Sequence, residues 1–295
     1  MKNKLFIWTI LFILLFSSPV FANDDNSLEQ KLQKIGLFAS AKMDDNVEIQ
    51  KLFSHHSKWA NSQKMKKLQS VYADKYRNFD GLSRTDFFKM IQETWDLYAN
   101  LVYTTEIKNI DINGTYATVD VLEITKGKTK NVCETTQKIG NVYSDSRVIY
   151  HLEKFGKTWQ IVSDNILAEH TYLLYGDAND IPMSINSPAQ VANDEEYNVI
   201  FDIKLPKGYF ALGSISNEPI VYPQIPPKEV FRNMQQDAVL ERVVKSNNDN
   251  KNEYAIASIG LTKAEMSADN QLNIQVAGLG FIMNRVNVLH LTKAK

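Results

Sequence analysis

Apolar side chains recur at Phe87, Phe88, Ile91, Trp95 and Tyr98. This is the i, i+3, i+4 spacing of a helix with one buried face, and Ser83 or Thr85 stands where a cap is needed. After Asn100 the period changes to two. Residues 107–112 and 115–121 alternate on either side of Asn113-Gly114, a hairpin signal that puts Ile110, Ile112, Ala117, Val119 and Val121 on one face. A slip of one residue would bury Asp111, Tyr116, Thr118 and Asp120 instead. Two carboxylates would then be stranded at a cost of several kcal/mol, so the register is strongly specified. Counting on in twos carries Glu106 and Glu123 to the same inner side, near the open end of the hairpin.

Helical spacing also runs through Ile49, Leu52, Phe53 and Trp59 and on to Leu68, Val71, Tyr72 and Tyr76. His55-His56, flanked by Ser54 and Ser57, reads as an exposed polar break in it. Adjacent histidines point about 100° apart on a helix and make no i, i+4 metal pair. Two further strands, 147–154 and 158–167, flank Phe155-Gly156-Lys157. Their parity puts Tyr150, Leu152, Trp159 and Ile161 inside, and Arg147, His151, Gln160 and Asp164 outside, with Arg147 paired across to Asp164. Between the hairpins, 126–141 is rich in Lys, Thr, Gly and Asn and reads as an irregular excursion.

Pro182 and Pro188 mark a boundary. Beyond it come short strands at 197–205, 209–215, 240–245, 254–261, 272–276 and 285–291, the pattern of an antiparallel β-sandwich. One helix is expected at 227–234, with proline in its first turn. The run 247–252, Asn-Asn-Asp-Asn-Lys-Asn, is a hydrated loop that lacks the alternating ligands, glycine and distal glutamate of a calcium loop.

Composition adds a location. Lys2 and Lys4, an apolar run from Leu5 to Phe16 and the small-x-small pattern Val20-Phe21-Ala22 form a secretion signal over residues 1–22. The run is short for a transmembrane helix, and no second long apolar span follows. The expected organisation is a tail and weak helix at 23–45, one domain at 46–180, a linker at 181–192 and a second domain at 193–295. Without Lys2 and Lys4 the 33 basic residues become 31 against 34 acidic ones, a net charge of −3. That balance argues against nucleic acid as a partner. Cys133 is the single cysteine, so no internal disulfide and no cysteine-based metal site can form. There is no phosphate loop, no His-Glu-x-x-His and no serine nucleophile elbow. No cofactor is implied.

Residues 83–98, the segment 107–121 around Asn113-Gly114, and the run 150–161 closing on Trp159-Gln160-Ile161 resemble the NTF2-like (SnoaL-like) superfamily. The resemblance implies an α+β cone, with helices on a bent antiparallel sheet that encloses a pocket or a filled core. It also implies homodimers through the outer face of the sheet. The second domain is similar to immunoglobulin-like sandwiches only in general shape. Enzymes of the superfamily place acidic, His or Tyr groups inside the cone, and no set of them is matched here position by position, so no catalytic residue is carried over. Parity brings Glu123 and Tyr150 to the inner face, and Trp95 and Tyr98 wall it from the helix, which makes these four the candidate ligand-binding residues. The leading expectation is an exported bacterial envelope protein, periplasmic or extracellular, that acts as a non-enzymatic module binding a protein or small molecule. The rival is a metal-independent pocket enzyme of isomerase, dehydratase or hydrolase type on a small hydrophobic molecule. A third reading is a carbohydrate- or cell-wall-binding accessory.

The signal predicts cleavage between Ala22 and Asn23. Mass spectrometry of exported protein should find Asn23 at the amino terminus, and an intact Met1 there would rule the signal out.

Overall fold

The computed structural model describes residues 41–234, 239–249, 251–266, 269 and 272–290. The expected signal and the weak helix near its end lie outside them. Three helices open the described chain: α1 (Ala41–Asn61), α2 (Met65–Gln69) and α3 (Arg84–Leu97). Ser83 caps α3, accepting from the backbone N–H of Asp86 at 3.2 Å and donating to its carboxylate at 2.6 Å, which satisfies a first-turn donor. Its buried face is Phe87, Phe88, Met90, Ile91, Thr94 and Trp95. Tyr98 already belongs to β1 (Tyr98–Asn113), so helix passes to strand with no loop between them.

β1 pairs with β2 (Tyr116–Thr129), β2 with β3 (Gly140–Phe155) and β3 with β4 (Thr158–Gly176), all antiparallel. Asn113 pairs with Tyr116, so the two loop residues are Gly114 and Thr115. Gly114 takes φ +61, as at the first central position of a type II′ turn, so the two-residue turn expected at Asn113-Gly114 lies one residue further on. Cross-strand partners move by two, so the faces stand as read. Ala117, Val119 and Val121 are buried, and Ile110 and Ile112 pack half-buried beside them.

Single-residue bulges then break the simple count. Ile107 pairs with Val121 but Asn109 with Asp120, which leaves Lys108 as an extra residue. Thr105 therefore faces inward opposite Glu123. Glu106, expected inside, is exposed beside Lys108. On β4, Val162 is extra between the Leu152–Ile161 and His151–Ser163 pairs, and Leu167 is extra further on. Asp164 lies between these bulges and is turned into the core, the reverse of the expected outward position. Arg147 pairs instead with Asp120, at 2.7 Å. A bulge inserts one residue and so exchanges the faces of everything beyond it.

Residues 70–83 are irregular, not a continuation of helix. Backbone bonds from Ala73, Arg77 and Phe79 to the carbonyls of Ile161, Val162 and Asp164, and from Ile161 back to Val71, cover the part of β4 that has no further strand beside it. This protects an edge and presses Tyr72 and Tyr76 into the interior.

The segment expected as a linker contains β5 (Met183–Asn186) and β6 (Gln190–Ala192). The remaining strands are β7 (Glu196–Ile203), β8 (Tyr209–Pro219), β9 (Arg232–Met234), β10 (Val239–Lys245), β11 (Glu253–Met266) and β12 (Leu272–Leu289). The expected helix at 227–234 is extended chain ending in β9. Lys228 and Val230 donate their backbone N–H groups to Glu218 and the Ser214 hydroxyl on β8, and so leave the i to i−4 pattern. One sheet runs β1-β2-β3-β4-β12-β11-β8-β9, with β6 attached to β12, while β10-β7-β5 forms a second sheet. The two sheets enclose a core of Tyr197, Val199, Phe201 and Ile203 against Ala255, Ala257, Ile259 and Ile282. On the opposite face of β11 and β12, Tyr254, Ile256, Phe281 and Met283 join the core of the cone. Among the described residues no helix is long and apolar enough to cross a membrane.

A buried ion pair ties the halves together. Arg285 on β12 holds both carboxylate oxygens of Asp80, at 2.6 and 3.0 Å, in the turn before α3, and Asn252 donates to the same carboxylate at 2.8 Å. The two charged side chains are 0 % and 3 % exposed. Removing one partner of such a pair typically costs about 3–5 kcal/mol. Asp80→Ala should therefore lower stability by that order in a single urea transition that reports both halves. A double variant, Asp80→Asn with Arg285→Met, should recover most of the loss. Two separate transitions, or no loss, would contradict the coupling.

Candidate active site

The site is built where α1 crosses the inner face of the sheet. Ile49, Leu52, Phe53, His56, Ser57 and Ala60 form one buried stripe at helical spacing. The helix does not break at His55-His56. His55 is exposed and stacks on Trp59, whereas His56 is fully buried. Ser57 donates to the Phe53 carbonyl at 2.9 Å and meets the Thr105 hydroxyl at 3.2 Å, so its polar group is satisfied without opening the helix.

Glu123 lies opposite Thr105 on β1 and Ser146 on β3. It is 1 % exposed, and among the described residues no cation forms an ion pair with it. Tyr150 donates to its Oε1 at 2.9 Å. Its Oε2 is buried without a hydrogen-bond partner, and so are the neighbouring Thr125 and Ser146 hydroxyls. Buried polar atoms are nearly always paired, so three unpaired ones on adjacent inward positions of β2 and β3 stand out. His56 Nε2 and the Tyr72 hydroxyl share a 2.7 Å hydrogen bond. The His56 ring packs with Tyr150 and Phe53, the Tyr72 ring with Phe87 and Phe88, and Tyr76 donates to Asp164.

Burial dominates the electrostatics. It pushes Glu123 up to about 8, against a smaller lowering by the Tyr150 hydrogen bond and a small rise from the Asp164 charge. Burial likewise raises Asp164 to about 7, with the Tyr76 hydrogen bond opposing it. The same loss of water holds His56 well below the ordinary imidazole range and raises Tyr72, Tyr76 and Tyr150 well above the usual phenol value. The arrangement thus offers a neutral imidazole, phenol donors and two carboxyl groups poised near neutrality.

Of the four residues expected from the sequence, Glu123 and Tyr150 are in direct contact. Trp95 donates to the Tyr103 hydroxyl at 3.0 Å. Tyr98 is buried too, but further along the strand beside Tyr175, opposite Thr129 and away from Glu123. The sequence reading missed His56, Tyr72, Asp164 and Ser146. The signal for His56 was available, since it falls four residues after Leu52 and seven after Ile49, on the apolar stripe itself. For Asp164 there was none, because a bulge has no residue signature. A groove of about 330 Å³ between Tyr143, Tyr172, Leu174, Asn141 and Asn179 lies on the outer face of the sheet. A smaller one of about 100 Å³ sits at the sandwich edge by Ile215, Leu240 and Arg242. Neither opens onto Glu123. Among the described residues no three His, Cys, Asp or Glu side chains are grouped to hold a metal ion.

The raised carboxyls give stability a sign with pH. Unfolded, Glu123 titrates near 4.5, and folded near 8. Below the lower value both states hold the proton and the group costs nothing. As pH rises through the window only the unfolded state releases it, so stability is lost progressively up to about 8. Urea midpoints of the native protein should therefore fall between pH 5 and pH 8, and fall less steeply in Glu123→Gln. Equal slopes in the two proteins would mean that Glu123 titrates as an ordinary carboxylate.

No family model and no curated protein matches the chain. Solved structures do resemble it. A putative scytalone dehydratase from Novosphingobium aromaticivorans has a TM-score of 0.36 and 12 % identity, covering 42 % of this chain and 84 % of that one. A conserved protein from Planctomyces limnophilus has a TM-score of 0.36 and 11 % identity, over 41 % and 94 %. A hexachlorocyclohexane dehydrochlorinase, LinA-type3, from Novosphingobium barchaimii has a TM-score of 0.35 and 10 % identity, over 42 % and 86 %. Each is a likeness of low identity that covers about two fifths of this chain.

Proposed function

We propose that the cone is an acid–base pocket that moves a proton on a small, largely apolar molecule carrying a hydroxyl or carbonyl group, in an isomerisation, elimination or hydrolysis. The observation that supports this is Glu123, a buried carboxyl without an ion pair, held by Tyr150 and with one oxygen left unpartnered. A carboxyl near pKa 8 is largely protonated at neutral pH and still a competent base once ionised. Tyr150 fixes its orientation, and the His56–Tyr72 pair supplies a second neutral donor and acceptor against the same rings. Phe53, Phe87 and Phe88 make the apolar wall. Entry requires the cover formed by α1 and residues 70–83 to move.

A second reading is the non-enzymatic module expected from the sequence. It is favoured by the packing of Phe53, Tyr72, Phe87 and Trp95 into one continuous core. Export to the periplasm or beyond fits either reading and rests on residues 1–22. Self-association through the outer face of β1 to β4 would likewise suit both.

The readings separate in heavy water. Incubated with a panel of small cyclic ketones in D₂O, the protein should place deuterium at the α-carbon, read by NMR. Glu123→Gln should cut that rate by about 10²-fold or more, the usual worth of a positioned general base. No incorporation across the panel, or equal rates in the variant, would favour the binding module.

A further inference from the structure

The inner face of the large sheet carries polar side chains in a line straight across its strands. Thr105 on β1 is the cross-strand partner of Glu123 on β2, Glu123 that of Ser146 on β3, and Ser146 that of Glu169 on β4. One step beyond the His170–Asn284 pair stands Arg285 on β12. Arg285 pairs with Tyr254 on β11, and Tyr254 with Glu218 on β8. All seven are buried. The row on the hairpin side pairs Val121 with Val148, and the row on the other side is again polar, with Thr125, Ser144 and Thr171 buried across β2, β3 and β4.

Within the line the groups at the far end are bonded. Tyr254 donates to Glu169 at 2.9 Å, and Arg285 is engaged by Asp80. The unpaired atoms belong to the middle of the line: Ser146, whose cross-strand partners are the two glutamates, has a hydroxyl without a hydrogen-bond partner, and Glu123 has none at Oε2. A serine side chain has three staggered positions about one bond, and its hydroxyl can turn toward either neighbour.

We propose that Glu123 and Glu169 form one ionising unit joined through the Ser146 hydroxyl, so that the second half of the chain, through Arg285 and Tyr254, sets the protonation of the group in the cone. When one carboxyl is ionised, Ser146 donates to it, and the other keeps its proton. Relocating the charge moves one proton: the protonated carboxyl gives it to the serine oxygen as the serine O–H proton passes to the carboxylate. The hydroxyl is restored and no net charge is made. Ser146 and Glu169 are positioning residues. The inference rests on the reading of Glu123 as the acid–base group of the cone.

The groups facing Glu123 are Tyr150 from β3, Thr105 from β1, Asp164 from β4 and Tyr72 from the 70–83 segment, with His56 of α1 beyond Tyr72 and Tyr150. Those facing Glu169 are Arg285, Tyr254, Thr171 and, behind Arg285, Asp80. Among the described residues the charge that acts on Glu123 is the Asp164 carboxylate, and Glu169 is the next carboxyl along the line, two strands away.

The test is a ¹³C-carboxyl NMR titration of the full chain, which needs no substrate and so stands or falls apart from the deuterium experiment. The two glutamates are two interstrand spacings apart, roughly 10 Å. At an effective dielectric of about 20, removing the charge of Glu169 should move its neighbour by about one pH unit. Glu169→Gln should therefore lower the Glu123 midpoint by about that amount. Ser146→Ala should raise both midpoints, because each ionised form loses a donor, and Ser146→Thr, which keeps the hydroxyl, should restore them. A Glu123 midpoint unmoved in Glu169→Gln would overturn the coupling. Unmoved midpoints in Ser146→Ala, or no restoration by threonine, would overturn the role of the hydroxyl.

Discussion

In an antiparallel sheet the side on which a residue lies is fixed by counting in twos from the turn, and one extra residue reverses the count for everything beyond it. The interior of this cone depends on that arithmetic. The bulge at Lys108 turns Glu106 out and Thr105 in, and the bulge at Val162 turns Asp164 in. A second bulge at Leu167 shifts β4 again, so that Glu169, Thr171 and Leu173 all face the interior. Without these single residues the inner face opposite Glu123 would be a different set of side chains. The chemistry of the site is thus a property of strand register first and of residue type second.

The same register makes the second half part of the site's surroundings. β12 lies directly against β4, where Gly278 pairs with Gly176. A side chain on Gly278 would meet the backbone of Ala178 at 2.7 Å and of Tyr175 at 2.8 Å, so the close approach needs glycine. Once β12 is placed there, Arg285 reaches inward to Asp80, in the turn that launches α3. The helix that carries Trp95 is therefore anchored at its start by β12, the last of the described strands. Both faces of β11 and β12 are buried, one in each core, which accounts for the nearly unbroken apolar and small residues of 254–261.

Much of this was legible in the sequence. The face assignment around Asn113-Gly114 survived a turn displaced by one residue, because the partners moved by two. The placing of Leu152 and Trp159 on one face followed from the two-residue loop at Gly156-Lys157. What could not be read has physical causes. Bulges leave no mark on composition, so Glu106 and Asp164 were placed on the wrong sides. The helix expected at 227–234 lost to strand-edge acceptors on Glu218 and Ser214 that no local propensity encodes. His56 was taken for an exposed break because two histidines between two serines look polar. Its position on the apolar stripe carried the better information. In the candidate site, parity alone brought Glu123 to Tyr150, whereas Tyr98 was separated from them because the strand starts one residue earlier than the helix pattern implied.

A glutamate buried without a cation is an expensive way to fill a core. An apolar side chain of similar volume would pack against Val121, Val148 and Tyr150 with no charged form to desolvate, and such replacements commonly leave a fold as stable or more so. Structural buried acids normally have both oxygens tied down, as Asp80 does with Arg285 and Asn252. Glu123 has one oxygen tied and the other without a partner, and the hydroxyls of Thr125 and Ser146 on neighbouring inward positions lack one too. Packing alone explains neither the carboxyl nor the gap in its hydrogen bonding. A fold that holds Asp80 and Arg285 fully paired a few strands away shows that this topology can satisfy a buried charge when structure is the only requirement. That contrast between Asp80 and Glu123 is what supports the proposed acid–base reading of Glu123.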